Sequence, residues 1–294
     1  MNATSMVEAS TGLSDAPMIS PENTLLCIFS YNMGRSLQIC LGSIEEMCPN
    51  FPVIICDDSS EDPATRNVLA TWMDGGGSVW TNNAPKLGKR HGNLYENIGH
   101  MLNTAEARGF TYILMIQDDM QFVRPLTSEI CRQYSDLFES SRNVVQVDIR
   151  FLRRGSYRVL PDLRAYDNGP GTAYADVGLT HIGRLKASGW RLDEGERANR
   201  DGLAALGYRR LFPFSAVAMH VPFPRTYRKG KPKLSLLPFR RGRYSFRSMT
   251  AQEILDMDAR PLDQPPLFRT FLHPKDMTLS RLVYWCRKDT KIFN

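Results

Sequence analysis

Two aspartates, Asp118 and Asp119, stand side by side directly after the apolar run Tyr112-Ile113-Leu114-Met115-Ile116 and Gln117. Adjacent carboxylates repel each other, and a site tolerates them when a cation shares the charge. Their oxygens suit hard divalent ions such as Mg2+ or Mn2+. A second acid pair, Asp57-Asp58, follows the apolar run Val53-Ile54-Ile55-Cys56 and precedes Ser59-Ser60. Asp and Ser are also turn and cap residues, so this pair equally suits the turn before a helix. The acid-rich cluster between Asp119 and His220 is Asp193-Glu194-Gly195-Glu196, preceded by Trp190. Such carboxylates can act as general bases, and equally suit a charged helix start. Lys86, Lys89 and Arg90 flank Gly88 ahead of a helical stretch, and basic side chains at a helix start attract anions. The spacing is not that of a P-loop. His220 closes a late apolar run, where a lone histidine is usually structural; His91, His100, His181 and His273 have no comparable setting.

These residues need elements to hold them. The run before Asp118 fits a strand buried on both faces, as in the middle of a parallel sheet. In open α/β sheets ligands bind beyond the carboxyl ends of the strands, which makes Asp118-Asp119 a candidate metal-and-phosphate site. Residues 23–30 read as a first buried strand. Leu37, Cys40, Leu41, Ile44 and Met47 then fall on one helical face, and residues 52–56 give a second strand, completing a βαβ unit. Glu61-Asp62-Pro63 starts a helix that runs through Trp72 and stops at Gly75-Gly76-Gly77. Residues 78–81 form a third strand, and Leu94, Ile98, Met101, Leu102 and Ala105 line another helix. After Asp119 the pattern predicts a helix from Thr127 or Ser128 through Phe138 and a strand over 144–148.

Alternating strands and helices to about residue 150 argue for an α/β fold with a mixed, mostly parallel sheet flanked by helices. The second half is less regular. Residues 155–178 read as loop, 179–188 and 197–206 as short helices, and 212–219 as one buried strand. Helices are expected around 251–257 and 277–285. The organisation expected is a flexible leader over 1–22, a globular domain over 23–222 and a basic C-terminal extension over 223–294. Within the domain, 23–120 and 121–222 form two halves.

The chain has 294 residues, 42% hydrophobic and 23% charged, in the range of soluble globular proteins. No window approaches the roughly 18 apolar residues of a membrane span, and the first 22 residues lack the basic start and apolar core of a secretory signal. Six cysteines without C-x-x-C spacing give neither a zinc site nor a disulfide framework, and suit a reducing, cytoplasmic setting. The net charge of +6 is uneven: between Gly202 and Gln252 there is no Asp or Glu, while Arg and Lys recur from Arg209 to Arg247. Such a region suggests an anionic partner. The run over 225–247 could close on a donor diphosphate, lie on the anionic inner face of a membrane, or grip an acidic polymer. It is too irregular for an amphipathic membrane helix, and no nucleic-acid motif accompanies it.

Taken in order, Ser30-Tyr31-Asn32, Asp57-Asp58-Ser59-Ser60, Gln117-Asp118-Asp119 and the strand ending in His220 resemble the family 2 glycosyltransferases over residues 24–222. Ser59 stands where that family has Gly. The resemblance implies the GT-A fold and transfer of a sugar, with inversion, from a nucleotide donor to a hydroxyl on a glycan or lipid-linked acceptor, in the synthesis of surface glycans or glycoconjugates. A UDP-sugar is the expected donor. The resemblance further implies that 23–120 is the nucleotide-binding half and 121–222 the acceptor half, that Ser30, Tyr31 and Asn32 line the nucleotide and that Asp58 reads the base. Lys89 and Arg90 would contact phosphate. Asp118 would meet the ribose or the metal through water. Asp119 and His220 would ligate the ion, Mn2+ in preference to Mg2+ because of the imidazole. Counting back from Gly207-Tyr208 puts Glu196 at the catalytic acid, with Glu194 and Asp193 as rivals and Gly195 replacing the family's usual Glu. Two other readings stand beside it: a nucleotidyltransferase of related sheet architecture, and a non-catalytic glycan- or membrane-binding module.

Overall fold

The computed structural model describes residues 16–85, 92–153, 157–169, 172–221, 245–273 and 275. Lys86, Lys89, Arg90, the basic run from 225 to 244 and the helix expected over 277–285 lie outside the described residues. Strand β1 (Thr24–Ser30) leads through α1 (Gly34–Met47) to β2 (Val53–Asp57), then α2 (Pro63–Asp74), β3 (Ser78–Thr81), α3 (Leu94–Ala107) and β4 (Tyr112–Gln117). A short β5 (Met120–Phe122), α4 (Ser128–Glu139) and β6 (Val144–Val147) follow. The second half contains β7 (Arg158–Leu160), β8 (Ala165–Asp167), β9 (Gly178–His181), α5 (Ile182–Ala187), α6 (Glu196–Ala205), β10 (Arg209–Pro213), β11 (Ala218–His220), α7 (Ala251–Ala259) and α8 (Phe268–Phe271).

Nine strands form one sheet in the order β3-β2-β1-β4-β9-β6-β10-β8-β7. Strands β3, β2, β1 and β4 are parallel neighbours, β9 is antiparallel to β4 and to β6, β10 is parallel to β6, and β8 is antiparallel to β10 and β7. All but β9 and β8 therefore run one way, and the sheet is mixed and mostly parallel, as the sequence pattern implies.

Burial follows the two-residue period of a strand. In β4, Tyr112, Leu114 and Ile116 join the core under α1 and α4, while Ile113 and Met115 join the core under α3, α5 and α6. That double burial explains the uninterrupted apolar run. Among the described residues four helix starts have side-chain caps: Asp62 accepts from Thr65 N, Thr127 from Ile130 N, His181 from Arg184 N, and Thr250 forms a capping box with Glu253.

Several expectations need correction. Residues 178–181 are a strand rather than the start of a helix, because they pair with β4 and β6; the helix begins at Ile182. The run 212–219 is not one strand but divides into β10 and β11, which belong to different sheets. Residues 158–160 and 165–167, expected as loop, are edge strands. Part of the leader is packed, since Ala16 and Ile19 are buried and Tyr112 donates its hydroxyl to Pro17 O at 2.8 Å. The extension is partly core as well: Phe246, Met249, Met257, Phe268 and Leu272 cluster with Val123, Phe151, Ala216 and Met219.

Candidate functional site

The carboxyl ends of β2, β1 and β4, three adjacent parallel strands, carry the turns singled out in the sequence. Hydrogen bonds join those turns into one wall. The backbone N–H of Tyr31 donates to Asp118 Oδ2 at 2.9 Å, and Asn32 N–H donates to Ser60 Oγ at 2.9 Å. Asn32 is left-handed, with φ 52°, and its Oδ1 accepts from the backbone N–H of Glu61 and of Asp62 at 2.8 and 2.9 Å. Asp57 is consumed locally: its two oxygens accept from the N–H and the hydroxyl of Ser60. Ser59 has φ 50° and donates its hydroxyl to Asn82 O at 2.5 Å. The turn thus keeps the left-handed conformation that a glycine adopts freely.

Asp58 is buried and faces the start of α3. Asn93 donates to it through Nδ2 at 2.9 Å and through its backbone N–H at 3.3 Å. A Cβ on Gly92 would lie 2.6 Å from Asp58 Oδ2, so the chain passes too close there for any side chain. Ser30 Oγ is buried without a hydrogen-bond partner, an unmet polar demand in the same wall.

His220 reaches Asp119 through an element the sequence did not announce. Strands β5 and β11 form a two-stranded ribbon pairing His220 with Met120, and Val221 N–H donates to Asp119 O at 2.7 Å. His220 Nδ1 then lies 3.0 Å from Asp119 Oδ1, and Nε2 lies 2.9 Å from an Arg150 Nη1. Guanidinium nitrogens only donate, so Nε2 accepts and Nδ1 carries the proton given to Asp119. The ring is neutral. Burial pushes its pKa below the ordinary value, and Arg150 and Arg153 add to that against the pull of Asp119.

By donor type, Asp119 and His220 suit a divalent cation. Among the described residues no group of three His, Cys, Asp or Glu side chains forms, so phosphate oxygens and water would complete the coordination. His220 would ligate through Nε2 once Arg150 turned away, or through Nδ1 once its proton had also moved to Nε2. Asp119 needs neither change.

Arg150 is itself clamped. Its Nε and Nη2 donate to Asp148 Oδ1 and Oδ2 at 2.8 and 2.6 Å, and Asp148 is fully buried at the exit of β6. Burial alone would raise the Asp148 pKa, but Arg150 and Arg210 hold it below the usual range. Arg153 is half-buried nearby; burial, then the charge of Arg150, lower its pKa to about 10.

Helix α6 begins at Glu196, an exposed residue whose charge acts on Asp176, Arg150, Arg153, Arg210 and Tyr95. Gly195 before it has φ 147°, ψ 131°, a conformation that a residue with a side chain rarely adopts. Glu194 and Asp193 are exposed; Asp193 Oδ1 accepts from Glu194 N–H at 2.6 Å, within the loop. Trp190 lies with its ring over Gly202 and donates Nε1–H to Asn199 Oδ1 at 3.0 Å.

Tyr95, Arg150, Arg153 and Asp176 all escaped the sequence reading, and the last is an acid. Asp176, two residues before β9, is buried, accepts the Tyr95 hydroxyl at Oδ2 (2.9 Å) and has no partner at Oδ1. Tyr95 in turn takes the backbone N–H of Glu196. Burial, then the charge of Glu196, push the Asp176 pKa up to about 7. Its only sequence signal is an acid among small and apolar residues, Ala175 and Val177.

No family model matches the sequence, and no curated protein does. Solved structures are similar at low identity. Staphylococcus aureus TarS 1-349 aligns with TM-score 0.48 and 13% identity over 68% of this chain and 60% of that chain. The mannosyltransferase PcManGT from Pyrobaculum calidifontis, solved with GDP-Man and Mn2+, aligns with TM-score 0.44 and 15% identity over 66% and 56%. A nucleotidyl transferase from Methanothermobacter aligns with TM-score 0.38 and 11% identity over 65% and 86%. This chain thus covers less than two thirds of the TarS fragment and of PcManGT.

Proposed function

We propose that the protein is a glycosyltransferase of GT-A type that moves a sugar from a nucleoside diphosphate donor, a UDP-sugar, to a hydroxyl on a glycan or lipid-linked acceptor, with inversion. The observation that supports this best is the convergence at one sheet end of three turns, two of them bearing acid pairs, with a His220–Asp119 pair and, within electrostatic reach of Arg150, the Glu196 carboxylate. The nucleotide lies along the exits of β2 and β1, against Ser30, Tyr31, Asn32 and Asp58. The diphosphate lies towards Asp118 and Asp119. Asp119, and His220 once released from Arg150, would hold Mn2+ or Mg2+, which when bound offsets the charge developing on the diphosphate.

Glu196 takes the proton of the acceptor hydroxyl. The acceptor oxygen bonds to the anomeric carbon as the bond to the diphosphate oxygen breaks, and the electron pair leaves with the diphosphate. Tyr95, bridging the Glu196 amide and Asp176, holds the first turn of α6 where the base must stand.

A panel of nucleotide sugars, screened with Mn2+ for a rise in melting temperature, identifies the donor. With it, Glu196→Gln should lower transfer at least ~100-fold, the usual worth of a general base, while donor affinity stays within about twofold. Equal activity of Glu196→Gln and wild type would move the base elsewhere, and full activity of Asp119→Ala with Mn2+ would exclude the diphosphate assignment. Release of pyrophosphate in place of a nucleoside diphosphate would make the protein a nucleotidyltransferase instead.

A further inference from the structure

Arg150 spends two of its three guanidinium nitrogens on Asp148 and the third, Nη1, on the neutral ring of His220. A neutral imidazole nitrogen is a weaker partner for a guanidinium than an oxyanion. The same nitrogen is one histidine away from Asp119, where the reading above puts the diphosphate. Arg153 stands within electrostatic reach of Arg150, Asp148, Asp119 and Glu196, and with its pKa near 10 it keeps its charge at neutral pH. A third guanidinium, Arg210, is buried with Nε and Nη1 lacking hydrogen-bond partners, its Nη1 3.7 Å from Asp148 Oδ2. Among the described residues Asp148 is thus the one carboxylate in hydrogen-bond contact with Arg150, and it also faces Arg210. Asp119, Asp176 and Glu196 act on the group from farther away.

We propose that Arg150, clamped on the buried Asp148 beside Asp119 and His220, forms with the charge of Arg153 nearby a cationic subsite for the phosphate oxyanions of a nucleoside diphosphate, independent of any metal ion. This rests on the glycosyltransferase reading and adds to it a second source of charge for the leaving group. Arg150 Nη1 exchanges the His220 nitrogen for a phosphate oxygen, and the clamp on Asp148 keeps the guanidinium plane fixed while it does so.

Calorimetry on the full chain tests the subsite with UDP, UMP and inorganic pyrophosphate, each in EDTA and in Mn2+. The wild type should bind UDP in EDTA, more tightly than UMP, and pyrophosphate should compete. Arg153→Ala should weaken UDP binding in EDTA about tenfold or more, the worth of one charge-assisted hydrogen bond, and leave UMP within about twofold. Arg150→Ala would strand the buried Asp148, so Arg150→Lys is the second variant; it keeps the charge but loses the fork. It should weaken UDP similarly, with an unchanged melting temperature showing that the fold is intact. UDP binding seen only with Mn2+, or unchanged in both variants, overturns the subsite while leaving the glycosyltransferase reading in place. No binding of UDP or GDP with or without Mn2+ overturns both.

Discussion

Replacing Asp176 by asparagine tests the electrostatics of the site without any knowledge of the substrate. The carboxyl is buried beneath Tyr95, with Glu196, Tyr174, Arg150 and Arg210 as its charged and titratable neighbours, and its pKa rises from the ordinary 3.8 to about 7. Between those values the folded protein keeps a proton that the unfolded chain has released. Stability from this group is therefore fully present below pH 4 and is lost as the pH rises through 7. The slope is ~1.4 kcal/mol per pH unit, and about three units give at most ~4 kcal/mol. Asparagine keeps the shape and the acceptor for the Tyr95 hydroxyl but does not ionise. Its buried amide adds a cost that does not vary with pH. Urea unfolding of both proteins from pH 4 to 8.5 isolates the effect, because all other titrations cancel in the difference. The stability of Asp176→Asn relative to wild type should climb steadily with pH by up to that amount and level off above pH 7 to 8. A difference that stays flat, or that falls with pH, would refute the burial argument.

Three further outcomes follow from particular contacts. Tyr95→Phe removes the hydroxyl between Asp176 and the Glu196 amide; transfer should slow about fivefold, the worth of a neutral hydrogen bond, with UDP affinity by calorimetry unchanged. Gly34→Ala would put a Cβ 2.5 Å from the backbone of Ala64 and Thr65; α1 and α2 must part, and chemical denaturation should show a loss of roughly 1–3 kcal/mol. Gly202→Ala would drive a methyl to 2.0 Å from the Trp190 ring; the ring should swing outward, seen as a red shift of tryptophan emission.

The β3-β2-β1-β4 half of the sheet was legible because β1, β2 and β4 are buried on both faces and the helices beside them on one, so apolar runs and helical stripes alternate plainly along the chain, while the edge strand β3 is half-buried to exposed. The second half was not, for reasons of chain geometry. Strand β9 is inserted antiparallel between β4 and β6, and Gly178-Leu179-Thr180-His181 is too short to show a period. Gln146 fixes the entry to it, with its side chain accepting from Ala175 N–H and donating to Ala175 O, both at 2.9 Å. That inserted strand is what delivers Asp176 to the site, so missing the strand meant missing the acid.

The same logic separates the site residues that sequence could name from those it could not. Asp58, Asp118 and Asp119 sit at strand exits next to their own motifs, and adjacency in sequence is enough to announce them. Arg150 matters only because Asp148 clamps it and because a three-residue ribbon, β5 with β11, carries His220 within 2.9 Å of it, a meeting of residues 70 positions apart. The geometry also changes what the histidine signifies. A late histidine read from sequence is a metal ligand in waiting, whereas here it is a neutral ring, donating to Asp119 and accepting from a cation. For Nδ1 to ligate, the ring's proton must move to Nε2, which would then face Arg150 donor to donor. Ligation of a metal by His220 would therefore require release of Arg150, whereas release of Arg150 requires no metal. A phosphate oxygen accepting from the guanidinium would favour that release and so leave the ring available to an ion.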